Sequence, residues 1–167
     1  GNEGCNEFLN LTAPASIEAM HKAFLDAGAM MLETNTFGAS SVVLAEYGLE
    51  ARTVEINRAA VAIARKAMGN APGRYVGGSV GPTTKLPSLG HISYDEMTAA
   101  YKEQVGALVE AGVDAVILET CQDLMQVKIA LVSTFDTLEA LGREVPVMLS
   151  VTIETTGTLL AGSAIAA

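Results

Sequence analysis

The chain has 167 residues, half of them apolar and only 17% charged, which argues against disorder and allows one domain with a sizeable core. Its net charge of −9 leaves no basic surface for phosphates, which argues against nucleic-acid binding. No apolar run approaches the roughly 20 residues that span a bilayer. The two cysteines, Cys5 and Cys121, fit no metal-ligand spacing, so we expect a reduced, cytoplasmic protein without a membrane segment.

The first part of the chain contains a strand with a polar end. The apolar run 29–32 breaks into the four polar residues 33–36, a pattern typical of a barrel strand that delivers side chains to its carboxyl end. The elements predicted over this part are an irregular segment 1–13, a helix from Pro14 to Gly28, a strand from 29 into 33, a short helix 40–47 and a long helix 53–68.

The second part repeats the order of strand and helix. Ser93 and Glu96 form a capping box at the start of one helix, and Asp123 with Gln126 can cap the next. The predicted elements are a turn 69–73, a strand 75–80, a long loop 81–93, a helix closed by Gly112, a strand 114–120, a helix 124–141, a strand 146–153 and a helix start after 158.

Strands that alternate with helices predict parallel pairing through right-handed crossovers. The spacing fits either an open doubly wound sheet or part of a (β/α)8 barrel. Polar strand ends, including two Glu-Thr pairs at 33–34 and 119–120, favour the barrel and one shared pocket. Four strands cannot close a barrel of ~250 residues, so the prediction is an α/β fold that forms about four of eight units, as one domain over 1–167.

Several segments match a known family in its own order. They are NEFLNLTAP (6–14), LETNTFGAS (32–40), YGLE (47–50), EINRAA (55–60), GSVGPTTKLPSLGHISYDE (78–96) and LETCQDLMQVK (118–128). Together they resemble the homocysteine-binding barrel of the cobalamin-dependent methionine synthases, within the homocysteine S-methyltransferase family. The loop 81–93 resembles this branch more than the betaine-dependent or S-methylmethionine-dependent branches, which remain the alternative.

The resemblance implies transfer of a methyl group from methylcobalamin to homocysteine, giving methionine. It implies zinc to ionise a thiol whose pKa is ordinarily ~8.5, together with cobalamin-binding and methyltetrahydrofolate-binding modules as partners. The family's zinc ligands are a cysteine and a later adjacent cysteine pair, beyond the fourth strand seen here, and this chain has no such pair. Cys121 does not match a zinc position. We therefore expect no metal ligand and no catalytic residue in the chain, and no activity from the chain alone.

The candidate site residues lie at the strand ends. The resemblance assigns Glu119 to the ammonium group of the substrate, because its carboxylate would emerge at the barrel mouth. The remaining predicted substrate-binding residues are Glu33, Asn35, Thr36 and Ser79, and the predicted loop over the mouth includes Gly81, Pro82, Thr83 and Thr84. Asn35 can bond either to substrate or to neighbouring loop backbone. The segment 78–85 lacks the ending of a phosphate loop.

Other residues are assigned to structure. His91 is interpreted as a solvated loop residue, His21 as a surface residue of its helix, and the seven methionines as core filler. Two further interpretations stay open, namely a non-catalytic half-barrel module that pairs with itself or a companion chain, and an unrelated lyase or aldolase barrel. The latter would need a lysine on a strand, and the predicted strands contain none.

Overall fold

The structure is a computed structural model that describes residues 3–164. Its main elements alternate helices with strands, and three short 3₁₀ turns over 45–47, 50–52 and 87–89 lie in the connections. The elements are α1 (Leu9–Thr12), α2 (Pro14–Asp26), β1 (Met31–Glu33), α3 (Ser41–Leu44), α4 (Thr53–Met68), β2 (Tyr75–Val80), α5 (Tyr94–Ala111), β3 (Ala115–Cys121), α6 (Leu124–Leu141) and β4 (Val147–Val151).

The four strands form one parallel sheet in the order β1-β2-β3-β4, the order in which they occur in the chain. Each large helix contacts the next one along the chain, α2 with α4, α4 with α5 and α5 with α6. Sequential strands joined by crossovers of one hand place all of these helices on one face of the sheet. A doubly wound sheet would cover both faces, so the fold is the partial (β/α)8 barrel that the sequence predicts.

The core lies between the sheet and its helices. Leu32, Val76, Val116 and Leu118 alternate along their strands and pack in one buried cluster with apolar residues of α2, α4, α5 and α6. The intervening strand residues point to the opposite, inner face of the sheet. Glu33, Ser79 and Glu119 stand on that inner face at the carboxyl ends of β1, β2 and β3, so the topology brings the predicted site residues together.

The helix ends explain why the helices begin where the sequence predicts. The Ser93 hydroxyl accepts from the Glu96 amide and the Glu96 carboxylate accepts from the Ser93 amide, which is the expected capping box. The Asp123 carboxylate accepts from the amides of Met125 and Gln126 at the start of α6. The same carboxylate accepts from the amide and the hydroxyl of Ser88, so the cap also fixes the loop after β2.

Two expectations at the chain ends differ from the structure. Residues 6–12 form a 3₁₀ turn and α1, where the sequence predicts an irregular segment, because side chains of Glu7 and Asn10 are held by the loop after β1. The predicted helix start after 158 is wrong over 158–164, where the chain forms turns, and the rest of that prediction, 165–167, lies outside the described residues. The outer strands are shorter than predicted.

The methionines are a further correction. Met97 is fully buried, but Met20, Met30, Met31, Met125 and Met148 are exposed. Met31 and Met148 lie on the inner face of the sheet, which none of the helices in the described part of the chain covers, so apolar spacing alone does not identify them as core. Within residues 3–164, none of the helices is long and apolar enough to cross a bilayer.

Candidate functional site

A pocket of about 470 Å³ opens at the carboxyl ends of β1, β2 and β3. Its lining combines apolar side chains, among them Met20, Phe24 and Met31, with polar ones. The polar and remaining lining residues are His21, Leu32, Glu33, Thr34, Asn35, Thr36, Phe37, Ser79 and Glu119. All five predicted substrate-binding residues therefore line one cavity.

Glu119 is held in a fixed orientation by Ser79. The Ser79 hydroxyl donates to Oε1 of Glu119 at 2.5 Å. Ser79 is itself held from two sides, because its amide donates to Thr34 Oγ1 at 3.1 Å and its carbonyl accepts from Thr36 Oγ1 at 2.7 Å. The two threonine hydroxyls lie 2.6 Å apart and share a further hydrogen bond. One oxygen of Glu119 thus has a protein donor, and its carboxylate faces the pocket.

Glu33 provides a second carboxylate beside the first. Burial raises its pKa, and the charge of Glu119 raises it further. A cation stabilises the ionised form of a carboxylate such as Glu33, since a nearby positive charge compensates the repulsion from its negative neighbour. The pocket is thus suited to a group such as a protonated amine.

The side chains of Thr36 and Asn35 form hydrogen bonds to other residues of the chain. Thr36 is fully buried. The Asn35 amide donates to the Asn6 carbonyl at 2.8 Å and to Asn10 Oδ1 at 3.2 Å, and Asn10 donates in return to the Asn35 carbonyl. These bonds fasten the N-terminal segment to the loop after β1. The direct contact of either residue with substrate stays a prediction.

The loop 81–84 lies beside the pocket and is not among its lining residues. The Gly81 amide donates to the Phe37 carbonyl at 3.0 Å, and a Cβ at Gly81 would lie 2.5 Å from that oxygen. Thr83 has a left-handed φ of +65°, and its hydroxyl bonds within the loop to Lys85. Thr84 donates to Glu46. The loop is rigidly attached next to the mouth, and its role over the mouth stays a prediction.

Sequence analysis missed two residues in and beside this site. His21 is not a surface residue as expected: it is 2% exposed and lines the pocket, and no hydrogen-bond partner of its Nε2 is present within the described residues. Burial lowers its pKa. The spacing of Ile17, His21 and Leu25, which are all buried, carried a signal for its burial. Ser150 in β4 is the other, and no local pattern indicates it.

A β-bulge follows Glu119 in β3. Leu118 pairs with Leu149 and Cys121 pairs with Val151, so Glu119 and Thr120 together face the single residue Ser150. Thr120 has a left-handed φ of +57°, and its amide donates to Ser150 Oγ at 3.2 Å. The extra residue shifts the alternation of β3, so that Cys121 lies on the helix face of the sheet and not on the inner face.

The described residues do not fit a zinc ion. No group of three or more histidine, cysteine, aspartate or glutamate side chains between residues 3 and 164 is placed to hold a metal. Cys121 is 1% exposed, and burial followed by the charge of Glu119 raises its pKa to about 11, the opposite of what a thiolate ligand needs. His91 accepts from the Leu86 amide in an exposed loop turn.

The fold and the site together define a partial (β/α)8 barrel with a carboxylate pair at the mouth. The family model for homocysteine S-methyltransferase matches residues 2–167, and the chain belongs to that family.

Methionine synthases from Mycobacterium tuberculosis (strain ATCC 25618 / H37Rv) and Mycobacterium leprae (strain TN) are each 43% identical to the chain over 171 residues. The chain is covered completely and spans 14% of the length of these relatives. The homocysteine methyltransferase MmuM from Escherichia coli, in its metallated form, matches with a TM-score of 0.75 at 25% identity, over 94% of this chain and 58% of that one.

Proposed function

We propose that this chain forms part of the homocysteine-binding barrel of a methionine synthase, and that the whole protein transfers a methyl group from methylcobalamin to homocysteine. The observation that carries the proposal is the Glu119 carboxylate, oriented by Ser79 and lining a pocket that Met20, Phe24 and Met31 also line. Such a pocket suits an amino acid with a protonated amine at one end and a hydrophobic sulfur-containing side chain at the other.

In this proposal the chain binds and orients the substrate. Glu119 accepts hydrogen bonds from the substrate ammonium through the oxygen that faces the pocket, and Glu33 adds a second negative charge on the same side. Met20, Phe24 and Met31 exclude water from the substrate's methylene groups. Asn35 and Thr36 support this arrangement through their bonds to the N-terminal segment and to Ser79, and the loop 81–84 borders it.

Zinc and methylcobalamin belong, in this proposal, to other parts of the whole protein. The described residues of the chain do not fit a zinc site, so activation of the substrate thiol is assigned to residues outside this segment. The methionine synthases that resemble the chain are much longer, which supports cobalamin-binding and methyltetrahydrofolate-binding modules as partners. We place the protein in the cytoplasm and treat 1–167 as one partial barrel domain. The betaine-dependent and S-methylmethionine-dependent alternatives are less favoured, given the 43% identity to methionine synthases.

The test is Glu119→Gln in the whole protein, with homocysteine compared with its analogue that lacks the amino group. We expect the wild type to prefer homocysteine and the variant to lose that preference, with KM for homocysteine raised about 10- to 100-fold, because a hydrogen bond to a charged group is lost. Glu139→Gln, an exposed change on α6, is the control and should leave KM unchanged. An unchanged preference in Glu119→Gln would contradict the proposal.

The isolated chain gives a second test. With zinc and methylcobalamin added, we expect no transfer of an isotope-labelled methyl group to homocysteine, because the residues that would activate the thiol are absent from the described part of the chain. Appreciable turnover by the isolated chain would mean that its own residues ionise the thiol.

A further inference from the structure

The carboxyl end of β3 contains a β-bulge next to the residue on which the pocket depends. Glu119 and Thr120 occupy the space opposite Ser150 alone. Bulges beside active sites commonly redirect a side chain or end the regular pairing of a strand. Here the bulge separates Glu119, which faces the pocket, from Cys121, which does not.

The strand would present different side chains without the bulge. Regular alternation from Ala115 through Ile117 to Glu119 would place Cys121 on the inner face as well. Cys121 is instead 1% exposed and pairs with Val151, two residues after the Leu149 that pairs with Leu118 of the helix face, so the thiol lies on the helix side. Glu119 is therefore the last side chain of β3 on the inner face.

The bulge requires a left-handed backbone conformation at Thr120, which threonine does not favour. Thr120 has a φ of +57°, a region that branched side chains rarely adopt. An extra residue in a strand also leaves its N–H without a regular partner. The Ser150 hydroxyl supplies that partner at 3.2 Å. Ser150 is thus the residue of β4 that stabilises the bulge.

We infer that Ser150 is a positioning residue for Glu119, because its hydroxyl holds the bulge that keeps the Glu119 carboxylate beside Ser79 and facing the pocket. The inference rests on the proposed function, since it concerns the group that binds the substrate ammonium. Ser150 acts through the backbone of Thr120, and the chain needs only its hydroxyl oxygen for this role.

The first test is Ser150→Ala in the whole protein, with Ser150→Thr as the conservative variant. Loss of one neutral hydrogen bond that orients Glu119 should raise KM for homocysteine about 3- to 10-fold and leave kcat unchanged, because ground-state and transition-state binding weaken together. Ser150→Thr keeps the hydroxyl and should restore the wild-type KM. A lower kcat at unchanged KM would indicate a loss of folded enzyme alone and would overturn the inference.

The second test repeats Ser150→Ala in the Glu119→Gln background. If Ser150 acts through Glu119, its removal should change KM by less than about 2-fold there, because the carboxylate that it positions is already gone. An equal effect of Ser150→Ala in both backgrounds overturns the positioning role and leaves the proposed function intact. A Glu119→Gln variant with unchanged KM contradicts the proposed function instead, so the two failures are distinguishable.

Two further variants separate the bulge from the threonine side chain. Glycine adopts a positive φ without steric cost and keeps the N–H, so Thr120→Gly should retain KM within about 2-fold. A rise as large as that of Ser150→Ala would mean that the threonine side chain acts, and would overturn the inference. Thr137→Ala, which removes a hydroxyl bonded to the Ser133 carbonyl within α6, is the matched control and should not change KM.

Discussion

The two faces of the sheet differ in what covers them. On the helix face Val76, Val116 and Leu118 are completely buried among side chains of α4, α5 and α6. On the inner face Met31 and Met148 are 36% and 49% exposed, and the carboxylates of Glu33 and Glu119 stand at the mouth. The comparison indicates that the helix face supplies the buried apolar packing of the fold and that the inner face carries the proposed binding groups.

The largest expected effect tests the helix face. Leu118→Ala should lower the free energy of unfolding by about 3 kcal/mol, because it leaves a cavity in a completely buried site. Met148→Ala on the inner face should cost less than about 1 kcal/mol, since that side chain is half exposed. Denaturant unfolding measures both. Equal costs would show that the two faces do not differ in packing.

The stability of the chain should be sensitive to added volume at Gly81, in the loop beside the pocket. Gly81→Ala should destabilise the chain by about 2 kcal/mol, because the new Cβ would lie 2.5 Å from the Phe37 carbonyl oxygen and would displace the loop. Gly106→Ala in α5 is the matched control, because its new Cβ would lie 3.8 Å from the Thr137 side chain of α6, an ordinary van der Waals contact. That control should be stabilising by roughly 0.5 kcal/mol. A Gly81→Ala variant as stable as wild type would contradict the close packing of the loop.

His21 joins the two faces, because it lies on α2 and lines the pocket. Burial lowers its pKa, so below about pH 6.5 the unfolded chain binds a proton that the folded chain does not, and stability falls as the pH falls. His21→Leu should remove this dependence and raise the free energy of unfolding by roughly 1 kcal/mol near pH 6, since it also removes a buried nitrogen that has no hydrogen-bond partner among residues 3–164.

Unfolding as a function of pH measures the effect of His21, and His91→Gln in the exposed loop is the control. We expect the control to keep the wild-type pH profile. If His21→Leu also keeps that profile, the histidine does not titrate differently in the folded and unfolded chain.

The smallest effect concerns Glu33. Its raised pKa means that the folded chain keeps a proton that the unfolded chain has lost above about pH 4.5, so this residue reduces stability as the pH rises through that range. Glu33→Gln should remove the penalty and increase the free energy of unfolding at pH 7 by roughly a few tenths of a kcal/mol, a small effect because Glu33 is only partly buried and solvent screens its charge. A decrease at pH 7 would show that Glu33 is stabilised by a positive partner.

Local patterns predicted most of the fold. Periodicity and capping residues fixed the helices 53–68 and 124–141 to the residue, and the strand 75–80 likewise, because each is delimited by residues whose preference is strong, such as Gly69, Asp123 and Gly142. The position of Glu119 beside Ser79 followed from parallel strands that end at one edge. Helix α1 was not predicted, because contacts with the loop after β1, distant in the sequence, stabilise it.

The rest of the site depends on contacts between distant residues. The bulge requires Thr120 and Ser150 to meet across two strands, and thirty residues separate them in the chain. The burial of His21 depends on the packing of α2 against β1, and the sequence does not indicate this burial because histidine is a polar residue. Alternation within one strand therefore predicts which face Glu119 occupies but not where the alternation stops.

Asp123 couples the movement of the loop after β2 to the start of α6. Its carboxylate receives hydrogen bonds from Ser88 in the loop after β2 and from the first turn of α6, at 2.6 to 2.9 Å. The loop after β2 therefore cannot move away from Asp123 without breaking hydrogen bonds to the carboxylate that caps α6. Amide hydrogen exchange at Ser88 and at Met125 should accordingly rise and fall together, and any ligand that immobilises the loop should slow both.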